Sequence, residues 1–138
     1  MSFFKAKWLN RLLVVSPCYI ALCTTEKQFK ALLKHLKIPK SSQPAFIATW
    51  HSDATTHFFE NKEMMKVSAI VCIKHRDGTT QNQVSGLLVH ESMHIWQEVC
   101  RLYGEDNPSH EFEAYSVQNI FQNLLEEFTR QTKGGWNE

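Results

Sequence analysis

A chain of 138 residues, 43% hydrophobic and 21% charged with a formal net charge of +1, has the make-up of one ordinary globular domain rather than of a disordered or fibrous protein. Its length suffices to bury roughly two thirds of the unfolded surface around one core, and its near-neutral charge argues against wholesale nucleic-acid binding. The charge is unevenly spread. Residues 1–40 carry eight Lys and Arg against one acid, whereas residues 86–138 carry nine acids against three bases; the simpler reading is that the two ends attract each other, ahead of a phosphate-bearing partner for the basic end.

In chain order, Lys5, Lys7 and Arg11 precede the apolar run Leu12 to Cys23, a layout shared with secretory signals. Pro17 interrupts that run, which is too short to span a bilayer and is followed by no small-x-small cleavage site. Residues 12–24 are therefore expected to form an early strand built on Val14, Val15, Tyr19 and Ile20, and secretion is not expected. The four cysteines, Cys18, Cys23, Cys72 and Cys100, form no CxxC and read as buried thiols of a reducing compartment. Thr25-Glu26-Lys27-Gln28 is a capping box opening a helix to about Leu36, with Phe29, Leu32, Leu33 and Leu36 inward. Pro39 to Pro44 reads as a loop. Two strand-like runs follow, Thr55 to Glu60 and Val67 to His75, joined by a charged turn at Asn61 to Glu63. His57, on the first of them, is either a packed strand histidine or a group that contacts substrate or a tetrahedral oxyanion, and the former is the commoner case. His75, beside Arg76-Asp77-Gly78, is expected in solvent at a turn.

The most informative segment comes next. Ser85 to Tyr103 has no interior proline, is followed by Gly104 as a natural stop, and contains His90-Glu91-Ser92-Met93-His94. Shuffled chains of this composition contain an HExxH in roughly 3% of cases, so the context has to carry the argument. Leu88, Ile95, Val99 and Leu102 recur at helical spacing, while His90, His94, Gln97 and Arg101 make a second stripe. Two histidines four apart lie one above the other on a helix face and can reach one metal ion. Glu91 between them is then placed to take a proton from a water whose pKa the ion lowers from 15.7 to about 7. A tetrahedral catalytic zinc needs one more protein ligand.

After the loop Glu105-Asp106-Asn107-Pro108, a second helix is expected from about Ser109 to Phe128, capped by Asn107 or Ser109. Its first turn offers two carboxylates. Glu111 shares a face with Ala114, Tyr115 and Gln118, and Glu113 heads the apolar line Val117, Ile120, Leu124, Phe128. Either acid also suits a helix N-terminus on electrostatic grounds alone. His110, adjacent to Glu111, is a minor third candidate.

His90-Glu91-Ser92-Met93-His94 followed by Glu111-Phe112-Glu113-Ala114-Tyr115 resembles the gluzincin branch of zinc metallopeptidases, in which HExxH precedes a Glu-x-x-Ala-Asp or Glu-x-x-Ala-Asn ligand pattern on a later helix. The match holds at Glu111 and Ala114 and departs at Tyr115, where the family has Asp or Asn, which leaves Glu113 as the alternative third ligand. The last third of the chain also looks like small metallopeptidases encoded by phages and prophages. This resemblance implies a single zincin-like domain over residues 1–138, of α+β class, with a small sheet packed on the HExxH helix and a following ligand-bearing helix. It implies a Zn2+-dependent hydrolase of peptide bonds in the cytoplasm, acting on a peptide or protein with no membrane partner. His90, His94 and Glu111 would be the ligands, Glu91 the general base and Tyr115 an oxyanion or supporting group. The alternative is a non-catalytic zincin-like phage structural or interaction protein, in which zinc only fastens the two helices.

Overall fold

The computed structural model of the protein describes residues 5–9 and 18–133. Cys18–Cys23 (β1) and Lys66–Ile73 (β3) are buried along nearly their whole length, the near-continuous apolar pattern of strands covered on both faces. They pair in parallel, from Cys18 opposite Val67 to Cys23 opposite Cys72. Ala54–Asn61 (β2) pairs with β3 in the antiparallel sense, with Thr56 opposite Val71 and His57 opposite Ile70. The order β1-β3-β2 makes β2 an edge strand of the described sheet. Helices Glu26–His35 (α1), Gln81–Tyr103 (α2) and His110–Thr132 (α3) complete the chain, with a short 3-10 turn at Lys40–Ser42 inside the expected loop. The α+β class is the observed one.

Alternation along the strands sorts the core into two halves. On one face, Cys18, Ile20 and Leu22 of β1 and Val67, Ala69, Val71 and Ile73 of β3 pack against Val84, Leu88, Ile95, Trp96 and Val99 of α2 and Leu124 and Phe128 of α3. On the other, Cys23, Ile70 and Cys72 meet Phe29 and Leu33 of α1. The sheet therefore lies between α1 and the α2–α3 pair. Thr56 shares the parity of Ala54 and Phe58, which belong to the α2 side, and His57 takes the α1 side.

Several boundaries differ from the sequence expectation. Helix α2 starts at Gln81, a turn before Ser85, because Thr80 accepts from the Gln83 backbone N–H and the Gln83 side chain accepts from the Thr80 N–H. This is the same Thr-x-x-Gln box that opens α1. Its C-terminus is closed by Gly104 in the left-handed region, φ 69°. β3 ends at Ile73 rather than His75; Lys74 N–H donates to the Asp53 carbonyl, and the chain then turns through Gly78 at φ 86°. Helix α3, capped by Ser109, runs to Thr132, a turn past Phe128. That last turn is held by Gln131, whose amide donates to the Leu22 carbonyl and Glu127 and accepts from Gln28 and Thr24. The expected early strand is seen as Cys18–Cys23; Val14 and Val15 lie outside the described residues.

The uneven charge finds partners within the chain. Lys7 Nζ lies 3.9 Å from buried Glu127, which Arg130 also grips at 2.7 and 2.6 Å, and Arg130 donates to the Lys5 carbonyl. Among the described residues no helix is long and apolar enough to cross a membrane.

Leu88 is wholly enclosed between α2 and the sheet, whereas its neighbour Val89 is exposed. Leu88→Ala is expected to cost about 2–5 kcal/mol in urea-induced unfolding, and Val89→Ala to stay within about 0.5 kcal/mol.

Candidate metal centre

The i and i+4 spacing does what the helix geometry requires. His90 Nε2 and His94 Nε2 stand 3.1 Å apart on an exposed face of α2, with ring centroids 4.7 Å apart. Without an ion, this distance is a hydrogen bond between one protonated and one bare ring nitrogen. It is equally the spacing of two ligands on one ion: bonds of about 2.0–2.1 Å to both nitrogens would meet at about 98°, near the tetrahedral angle. The pair therefore fits zinc on geometry and donor type. Arg101, on the same stripe, lies 3.8 Å from Glu60 of β2, which locates the stripe on the flank of α2 beside the edge strand.

Glu91 faces the sheet and is only 4% exposed. Its Oε2 accepts the Thr56 hydroxyl at 2.6 Å, the short distance typical of O–H to an ionised carboxylate. No buried side-chain nitrogen or oxygen lacks a partner among the described residues, and Thr56 is the partner shown for Glu91. Oε1 is therefore reached by solvent, and the solvent lies in a cleft. That cleft, of about 770 Å³, opens between the start of β2, the end of β3 and the first turns of α2; Ala54, Lys74, Asn82, Gly86, His90 and Glu91 are among its walls. An ion pair between Arg76 and Asp53, 2.7 Å, forms part of its rim. One carboxylate oxygen is thus anchored in the fold, and Glu91 lines a polar cleft together with His90.

Helix α3 approaches α2 from elsewhere. Trp96 Nε1 donates to Glu113 Oε2 at 2.8 Å, and the Trp96 and Phe112 rings meet edge to face at 5.5 Å. Trp96 follows His94 by two positions, so the two side chains leave the helix about 160° apart. The histidine pair and the α3 contact consequently occupy opposite flanks of α2. Glu113, on the apolar line as expected, is spent on the indole. Glu111 is exposed on the outer side of α3, as is Tyr115 at 60% exposure, and His110 is exposed at the first turn. Among the described residues no group of three or more His, Cys, Asp or Glu is placed to hold a metal ion. The structure brings together His90, Glu91 and His94, and does not bring Glu111, Glu113 or Tyr115 to them.

The other histidines and the thiols have structural surroundings. His57 stacks on Phe29 with centroids 4.8 Å apart and its Nε2 lies 3.0 Å from the Phe46 carbonyl, on the sheet face away from α2. His75 is exposed and meets the Phe128 ring edge to face. None of the four cysteines is in a disulfide. Burial pushes the Cys18 thiol up to about 12, and burial together with a hydrogen bond to Cys23 raises Cys72, so neither supplies a thiolate at neutral pH. The residue that sequence reasoning missed is Thr56. Its signal was its position one place before His57 on a half-buried strand, which puts it on the face opposite to that histidine's.

No protein-family model, curated protein or solved structure matches this chain.

Removing the acceptor in Glu113→Ala leaves the Trp96 N–H unpaired and is expected to cost about 1–3 kcal/mol in thermal or urea unfolding. With α3 on the far flank, neither Glu113→Ala nor Glu111→Ala is expected to change zinc affinity, measured by competition with a chromophoric chelator, by as much as about tenfold. A larger loss in Glu111→Ala would mean that α3 reaches the other side of α2 when zinc binds.

Proposed function

We propose that this protein is a metal-dependent hydrolase of peptide bonds, with His90 and His94 as protein ligands to a divalent ion, zinc by donor type, and Glu91 as the general base. The observation that carries the reading is the combination on one helix of a histidine pair at ligand spacing and a buried carboxylate, Glu91, whose Oε2 is anchored to Thr56 and which lines the same cleft as His90. A bound zinc ion supplies a Lewis acid that makes water more acidic and polarises a carbonyl. Glu91 Oε1 takes the proton of the attacking water and returns it to the departing amine nitrogen, which balances the hydrolysis. The edge strand β2 runs alongside the histidine flank, as the Thr56–Glu91 and Glu60–Arg101 contacts, nearly three helical turns apart, indicate. An extended peptide added to its open edge would pass over the pair.

Glu111, the third ligand of the gluzincin pattern, does not enter this proposal because α3 packs on the other flank of α2. A bound ion would be held by His90 and His94, one protein ligand short of the three of a catalytic zinc site, since no third donor group stands with them among the described residues. The same packing weighs against the rival reading of a zinc that only fastens α2 to α3, since those helices already meet through Trp96, Phe112 and Glu113 with the histidines facing away. Four cysteines outside any disulfide suit a reducing cytoplasm, and a phage or prophage source is proposed from the resemblance of the HESMHIWQ stretch.

Protein purified without a metal-affinity tag is expected to hold about one zinc per chain, and His90→Ala or His94→Ala to abolish tight binding. Equal metal content in all three proteins would exclude the site. Against a mixed peptide pool, Glu91→Gln is expected to keep the metal and lose about 10² to 10⁴ in rate; wild-type turnover by that variant would exclude Glu91 as the base.

A further inference from the structure

Glu91 is an acid in a largely apolar layer between α2 and the sheet, flanked on its helix face by Leu88 and Ile95, both fully buried. Such a carboxylate has little freedom, and what freedom it has is set by its partner among the described residues, the Thr56 hydroxyl. Thr56 is itself held firmly. It sits inside β2 in register with Val71 of the central strand, and its β-branched side chain has few accessible rotamers. The 2.6 Å bond therefore ties the carboxylate to the sheet, not to a mobile loop. A carboxylate held by one oxygen can only swing about that anchor, so its second oxygen is confined to the cleft side, where His90 lies.

We propose that Thr56 is a positioning residue for Glu91: by fixing Oε2 it presents Oε1 to the reacting water. This rests on the hydrolase reading above. Thr56 touches neither substrate nor ion in this role; it acts by removing orientations of Glu91 that would not reach the water, an effect that falls on turnover rather than on substrate binding.

Two measurements test it. In metal-free protein, a double-mutant cycle of Thr56→Val and Glu91→Met on the unfolding equilibrium should show a coupling of about tenfold or more, because the valine removes only the hydroxyl and the methionine removes the acceptor at similar length. In zinc-loaded protein, Thr56→Val should lower kcat by about 10- to 100-fold per folded molecule, with KM and zinc content unchanged, and Thr56→Ser should restore kcat to within about threefold. Absence of coupling would overturn the bond itself. Coupling with unaltered kcat would make Thr56 a purely structural residue and overturn the positioning role while leaving the hydrolase reading intact. A wild-type protein that binds zinc but cleaves no peptide would instead overturn the hydrolase reading, and the positioning role with it.

Discussion

The rotational setting of α2 about its own axis governs the rest of this molecule. Leu88, Ile95 and Val99 must face the sheet, and once they do, every other side chain on the helix has its direction assigned in steps of about 100°. Glu91 then falls at the margin of the buried face, the histidines and Arg101 on the flank of β2, and Trp96 on the flank of α3. A roll of one residue would bury a histidine or expose a leucine. The apolar packing that stabilises the domain is thus the same constraint that aims its polar groups.

Glu91 is the exception within that packing, because a carboxylate taken out of water costs several kcal/mol unless it is well hydrogen-bonded. The fold contains two such acids and treats them differently. Glu127 is saturated: Arg130 makes two short bonds to it and Gln131 a third, and the Gln131 amide also donates to the Leu22 carbonyl, joining α3 to β1. Glu91 receives one hydroxyl and no cation among the described residues. A structural acid resembles Glu127. Glu91 differs from it in having one hydroxyl partner among the described residues and in lining a polar cleft with His90.

The resemblance to gluzincins divides along the same line. The HExxH portion rests on spacing within one helix, and spacing within a helix survives any tertiary arrangement. The Glu-x-x-Ala portion rests on how a second helix is set against the first. There the line Glu113, Val117, Ile120, Leu124, Phe128 competed with the stripe Glu111, Ala114, Tyr115, Gln118 for the inward side. Burial of Leu124 and Phe128 against the sheet decided for the apolar line, and Trp96 took Glu113 as its acceptor.

Local interactions were legible directly: the Thr25–Gln28 box, the strand pair around the charged turn, the amphipathic α2 with Gly104 as its stop, and the adjacency of His90 and His94 all follow from contacts between residues a few positions apart. The Thr80–Gln83 box is equally local, and it adds a turn to α2 ahead of Ser85. What sequence periodicity could not supply was any relation between elements distant along the chain. The partner of Glu91 is 35 positions away on β2, and its choice over His57 depends on the pleat, which sends adjacent strand residues to opposite faces. The flank on which α3 packs depends on which side chains fill the space beside Trp96. The chain alone determined that two histidines and a glutamate share one helix; only the packing of that helix between an edge strand and a second helix decided which groups stand beside them.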